Sequence, residues 1–169
     1  MKQVGGRTIV TAGSDAKCAK CRELGADVAV NYNEADFVAA AKEATNGAGV
    51  DLVLDYIAGP YLDRNLRALA VGGRLVVMGL MGGAKAELNL GLVMMKRLQI
   101  IGSTLRARPV EEKAAIVDGF LRRFGKALEE GAIGPVVDQV LPLAEAAEAH
   151  RRMEASDHFG KLVLSVAKP

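Results

Sequence analysis

Thr11-Ala12-Gly13-Ser14-Asp15-Ala16-Lys17 is the stretch on which the fold turns. Before it, Arg7 to Thr11 reads as a short buried strand. After it, Asp15 to Leu24 reads as a helix with Lys17 in its first turn. A strand that enters a helix through three small residues is the opening of a βα unit, the connection that parallel strands require. Ser14 suits the N-cap, where a hydroxyl accepts a backbone N–H that the first turn leaves unpaired. Asp15 then stands at the positive end of the helix, where an acid is favoured.

The same alternation continues outward. Gly25-Ala26-Asp27 closes the helix, and Val28 to Val30 form a strand that stops at Asn31-Tyr32-Asn33. Asp36 to Thr45 is a helix with Phe37, Val38 and Ala41 on one face, broken by Asn46 to Gly49. Val50 to Asp55 is an apolar run of strand length. Pro60 to Ala70 reads as a helix with proline at its start, ended by Val71-Gly72-Gly73. Arg74 to Met78 is a strand leading into Gly79-Leu80-Met81-Gly82-Gly83. Leu88 to Arg97 is a helix, Gln99 to Ser103 a strand, and Pro109 to Glu130 a long amphipathic helix with Glu111 and Glu112 at its positive end. The strand runs are continuously apolar, as expected of strands buried on both faces. The pattern predicts an α/β fold: a doubly wound, Rossmann-type parallel sheet whose five strands here would be strands two to six.

After Glu130 the register changes. Gly131 to Pro135 breaks the helix, Val136 to Val140 is strand-like, Leu143 to Ala155 is an alanine-rich helix, and Lys161 to Val166 is a final strand. This tail reads either as two more strands of the same sheet or as a return into a second domain.

Composition narrows the function classes. The chain has 169 residues, half of them hydrophobic and 25% charged, with a net charge of +2. That is a globular profile with no basic excess to recruit nucleic acid. No apolar run has the length of a membrane span, and there is no signal-peptide pattern at the start. Two cysteines do not make a disulfide framework, and a cytoplasmic, reducing setting is expected. Cys18 and Cys21 form a single CxxC inside a predicted helix. Structural zinc needs two further ligands, and neither His150 nor His158 is suitably spaced, so no metal is expected.

In a dinucleotide-binding fold the end of the second strand meets the adenosine ribose. An acid there selects the 2′-hydroxyl of NAD, whereas small and basic groups accept the 2′-phosphate of NADP. Gly13, Ser14 and Lys17 suit the phosphate, and Asp15 is read as a helix acid pointing away from it. Taken singly, these residues are equally compatible with an ordinary N-cap and a surface lysine.

The order TAGSDAKC, LGAD, NY, GVDLVLD, GGRLVVMGLMGG, PLAEAAEAH and GKLVL resembles the medium-chain dehydrogenase/reductases from Arg7 to Val166. The closest branch is the zinc-independent NADPH:quinone oxidoreductases, the zeta-crystallin and p53-inducible group. The resemblance implies that Gly13, Lys17 and Tyr32, with Ser14, hold the adenosine 2′-phosphate of NADPH. It also implies that Met78, Leu80, Ser103 and Leu105 stand beside the nicotinamide and its ribose, chiefly through their backbone. The implied reaction is hydride transfer from NADPH to a quinone or α,β-unsaturated carbonyl. The implied organisation is a partial NADP-binding domain over 1–130 and a segment of the catalytic domain over 131–169. A homodimer is implied, its sheets joined edge to edge at Gln99 to Ser103.

Two other readings of the residues stay open here. VDLVLD followed by LRALAVGGRLVVMG also fits the middle of an S-adenosylmethionine-dependent methyltransferase. A non-catalytic nucleotide-binding module is the other. In the doubly wound order, strand one and its glycine-rich turn lie between Arg7–Thr11 and Val50–Asp55, and both are expected upstream of Met1. The chain is thus expected to be the C-terminal half of a longer enzyme, inactive by itself. Either these two strands close the gap, or they borrow a strand from another copy, or the rest of a longer protein fills it.

Overall fold

The computed structural model describes residues 2–166; Met1 and residues 167–169, the outer ends of the two expected segments, lie outside the described residues. The chain divides into two compact units, one running to Ala107 and one from Arg108 onward. The first contains β1 (Ile9–Ala12), α1 (Asp15–Glu23), β2 (Val28–Asn31), α2 (Phe37–Ala44), β3 (Val50–Asp55), α3 (Leu62–Ala68), β4 (Leu69–Val77), α4 (Leu90–Lys96) and β5 (Gln99–Gly102). Every strand pair is parallel. β1 pairs with β2 from Ile9–Val28 to Ala12–Asn31, and β3, β4 and β5 form a second sheet in that order. This is the α/β architecture of a Rossmann-type domain.

Local chemistry fixes the strand starts. The Asp27 carboxylate accepts the Thr8 backbone N–H at 2.7 Å and the Thr8 hydroxyl at 3.2 Å. The N–H groups of Asp27 and Val28 both donate to the Thr8 carbonyl at 3.1 Å, so the first β1–β2 rung is clamped from both sides. Gly49, at φ +92°, lets the backbone turn hard against Ala68–Ala70; a Cβ there would stand 2.6 Å from the Ala68 carbonyl oxygen.

The helix expected to reach Ala70 ends at Ala68, and Leu69 opens β4. Val50 pairs with Leu69 and Leu52 already pairs with Arg74, so β4 bulges between them. Gly72, at φ +79°, supplies the backbone freedom for the bulge. Leu69 is fully buried with Leu66 and Leu75, each worth roughly 1.5–3 kcal/mol of apolar burial. Lys96 ties α4 to this core by donating to the carbonyls of Leu66, Arg67 and Leu69 at 3.1, 2.9 and 2.7 Å, which ends α3 with a cation. Burial, and then the neighbouring charges of Lys42 and Arg67, push its ammonium pKa down.

Burial on both faces does not extend to β3. Val53 packs into the leucine core, whereas Leu52 and Leu54, on the opposite face, stay 38% and 53% exposed. Nor do β1 and β3 close the gap between them, for they lie in separate sheets. They share side-chain packing instead: Ile9 and Val50 both touch the cluster of Val30, Phe37, Ala41 and Ala68. Helix contacts do the joining. Phe37 of α2 stacks on Tyr61, ring centroids 5.6 Å apart, and the Arg64 guanidinium of α3 lies 4.3 Å over Phe37 while reaching Asp36 at 3.2 Å.

The second unit contains α5 (Val110–Glu129), β6 (Val137–Pro142), α6 (Ala146–Glu154) and β7 (Lys161–Ser165). β6 and β7 form their own parallel pair, so the tail does not extend the earlier sheets. Asp138 fastens the unit, accepting the Phe159 N–H at 3.1 Å and a guanidinium N–H of Arg152 at 3.3 Å. The second unit begins at Arg108, just before α5. Pro109, extended at ψ 155°, precedes α5 as its N-cap, and the end of the helix is bonded into the next turn by Gly131 N–H to Leu128 and Ile133 N–H to Ala127.

Candidate cofactor site

At the carboxyl end of β1 the backbone passes through Gly13 into the cap of α1. Ser14 is extended, and its hydroxyl accepts the Lys17 N–H at 3.3 Å. β2 ends beside it, and the Tyr32 N–H continues the ladder to the Ala12 carbonyl at 3.1 Å. This brings the Tyr32 side chain over Gly13. A Cβ built on Gly13 would stand 2.7 Å from the Tyr32 hydroxyl oxygen, so only glycine leaves both groups in place. Gly13 and Tyr32 are therefore neighbours, and Ser14 and Lys17 join them through the cap of α1.

Two asparagines that the sequence reading left without a role hold this turn together. Asn33 donates through Nδ2 to the Gly13 carbonyl at 2.8 Å. Asn31 accepts the Asn33 N–H at 3.2 Å through Oδ1 and donates through Nδ2 to Asp15 Oδ1 at 3.1 Å. The only signal for them was the N-Y-N triplet at a strand end, where Asx turns are common. Beyond Tyr32 and Asn33 opens a cleft of about 460 Å³, walled also by Asp36, Arg64 and Arg67. Within it the Val38 N–H chiefly holds the Asp36 carboxyl below its usual range; burial opposes it, and the Arg64 guanidinium adds to the lowering.

The second group of expected residues sits at the carboxyl ends of β4 and β5, the edge at which open α/β sheets take ligands. Met78 donates its N–H to the Asp55 carbonyl at 2.7 Å, and Ser103 donates to Val77 at 2.9 Å. The side chains of Met78, Leu80 and Leu105 are 45%, 57% and 55% exposed. The loop after β4 is zipped to the loop after β3, with Met81 N–H on Tyr56 and Gly82 N–H on Ile57. Behind both stands Asp55, 4% exposed. Its Oδ1 accepts the N–H groups of Ile57 and Ala58 at 2.8 and 3.0 Å, and its Oδ2 accepts the Asn65 amide at 2.9 Å. The two groups of expected residues lie on different sheets.

Over residues 24–164, most of its length, the sequence matches the family described as zinc-binding dehydrogenase. The chain belongs to that family. It is similar to the quinone oxidoreductase of Rattus norvegicus, 31% identical over 94% of this chain and 46% of the relative. Among solved structures, an NAD-dependent alcohol dehydrogenase superposes with a TM-score of 0.83 at 38% identity, covering 98% of this chain and 46% of that one. The Escherichia coli quinone oxidoreductase complexed with NADPH superposes at 0.79 with 28% identity, covering 96% and 51%. The chain thus spans about half the length of the relatives it matches. These relatives are oxidoreductases of the medium-chain dehydrogenase/reductase type, and the methyltransferase reading falls with that membership.

The family description names zinc, and the residues present do not fit it. Among the described residues no group of three or more His, Cys, Asp or Glu is placed to hold a metal ion. Cys18 is buried, and burial followed by the neighbouring Cys18 raises the Cys21 thiol pKa. The turn at Gly13 carries no side chain of its own and is covered instead by the Tyr32 hydroxyl. No described helix is long and apolar enough to cross a membrane.

Proposed function

We propose that this chain forms the cofactor-binding part of a zinc-independent, NADPH-dependent oxidoreductase acting in the cytoplasm on a quinone or α,β-unsaturated carbonyl. The single observation that carries the reading is the Gly13–Tyr32 contact beside the cap of α1. In this reading Gly13 admits the 2′-phosphate close to the backbone, Lys17 supplies a point charge, and the hydroxyls of Ser14 and Tyr32 donate to its oxygens. Met78, Leu80, Ser103 and Leu105 border the nicotinamide end through their backbone. Bound NADPH supplies the hydride, and the protein's share is binding and orientation. The whole protein works as a homodimer, and substrate selection needs residues beyond those described.

Lys17→Ala tests the cofactor assignment in the full-length protein. A charge-assisted contact is worth about 1.5–3 kcal/mol, roughly ten- to a hundredfold in affinity. NADPH binding should weaken by that factor while NADH binding stays unchanged. Equal losses for both cofactors would overturn it.

A further inference from the structure

Asp15 is the one residue of the Gly13 turn whose charge opposes a phosphate, and the structure shows what engages it. Its Oδ1 accepts from the Asn31 amide nitrogen at 3.1 Å, across the ends of β1 and β2. The orientation of that amide is fixed from both sides. Its nitrogen meets a carboxylate, which only accepts, and its oxygen meets the Asn33 N–H, which only donates. Asn33 in turn fastens the Gly13 carbonyl. The chain Asp15–Asn31–Asn33–Gly13 therefore links the acid, by hydrogen bonds alone, to the backbone of the Gly13 turn.

We infer that Asn31 is a specificity-determining positioning residue: by engaging Asp15 it keeps the carboxylate from facing the 2′-phosphate of a dinucleotide seated at Gly13 and Tyr32. This rests on the proposed reading of the site. Asp15 remains where the helix N-terminus favours it, but its charge is turned to a neutral donor on the neighbouring strand. An Asp15 released from Asn31 sits one residue beyond the Ser14 cap and can rotate toward the ligand. The repulsion falls only on a ligand that carries the extra phosphate. Asn31 thus sets the ratio of the two affinities, leaving the overall strength of nucleotide binding alone.

The test uses the full-length protein with two probes, adenosine 2′,5′-bisphosphate and adenosine 5′-monophosphate, whose affinities are measured by calorimetry. Asn31→Ser keeps an acceptor for the Asn33 N–H, as a serine turn does, but is too short to hold Asp15. It should weaken the bisphosphate by roughly three- to tenfold, the range of one partly screened unit charge, and leave the monophosphate unchanged. The double variant Asn31→Ser, Asp15→Ala should restore the original ratio, which a merely structural role of Asn31 would not allow. Asp15→Ala by itself should change the ratio little. If the wild type discriminates between the probes but Asn31→Ser keeps the same ratio, or the double variant fails to restore it, the inference falls alone. If the wild type shows no preference for the bisphosphate, the reading of the site falls and takes the inference with it.

Discussion

The hydroxyl oxygen of Tyr32 occupies the space that a side chain at Gly13 would need, 2.7 Å from an ideal Cβ. Gly13 does not have a positive φ, so its backbone would accept alanine. The obstacle is the tyrosine alone, the far end of a side chain that is 41% exposed and free to swing outward. Gly13→Ala should cost under about 1 kcal/mol of stability, as for other surface changes. It should weaken NADPH binding about tenfold by displacing one charge-assisted donor. Thermal melts and NADPH titration of the same variant check both halves, and a variant that melts early would mean that the turn is structural first.

Asp55 should be costly to remove and cheap to neutralise. In Asp55→Ala, two backbone N–H groups and the buried Asn65 amide lose their acceptor, at about 1–3 kcal/mol each. A loss of at least about 3 kcal/mol is expected in urea unfolding. Asp55→Asn keeps Oδ1 for Ile57 and Ala58, and Asn65 can turn its own oxygen toward the new amide. That variant should lose about 1 kcal/mol. Comparable losses for both would mean that the charge, and not the acceptor geometry, organises the two loops.

Much of the first unit was legible because its signals are local. Val50–Asp55 appears as read. Ser14 caps α1, and Asp36 caps α2 by accepting the Val38 N–H. What escaped were features decided by partners distant in sequence. Leu69 and Ala70 have helical company on one side, but Val50 and the Gly72 bulge draw them into β4. Asn31, Asn33 and Asn65 are ordinary polar residues until the fold brings them to Asp15, Gly13 and Asp55. The open face at Leu52 and Leu54 was also invisible, because an apolar run records which faces tolerate burial and not which are covered.

Ala58 carries backbone strain at the end of β3. It sits at φ 59° and ψ −136°, a region that side chains disfavour, held there by the Asp55 carboxylate on its N–H. Such a conformation costs about 1–3 kcal/mol in a residue with a Cβ. Glycine removes that cost but adds about 0.5–1 kcal/mol of unfolded-state entropy. Ala58→Gly should therefore stabilise the protein by about 1 kcal/mol, read as a higher urea midpoint at constant slope. A destabilised variant would show that Ala58 packing outweighs its backbone.

Acid should loosen the β1–β2 clamp. The Thr8 backbone N–H is the main cause holding the Asp27 carboxyl below its usual range, with the Thr8 hydroxyl, Lys2 and Arg7 adding to it against a smaller burial effect. A depressed folded pKa gives stability that is present above the unfolded value and lost as pH falls through the folded one. Stability should hold near neutrality and decline from about pH 4 downward. Asp27→Asn keeps an acceptor for Thr8 but no charge, so its decline should be shallower. Urea midpoints of both proteins between neutral and acidic pH compare the slopes, and parallel curves would remove Asp27 from the account.

The proposed dimer makes a directional prediction about β5. Among the described residues this strand pairs only with β4, and Ile100 and Ile101 are 41% and 39% exposed. Ser103 spends its N–H on Val77 of β4. Backbone groups alternate sides along a strand, so Ile101 also points inward while Ile100 and Gly102 present theirs to the open edge. An exposed edge of this kind invites pairing with another chain. Proline at Ile100 removes an outward donor and leaves the β4 ladder intact, as edge strands tolerate. Ile100→Pro should yield a folded monomer by sedimentation, whereas Ile101→Pro should break the ladder to β4 and lower the melting temperature. A dimer that survives Ile100→Pro without weakening would move the interface off this edge.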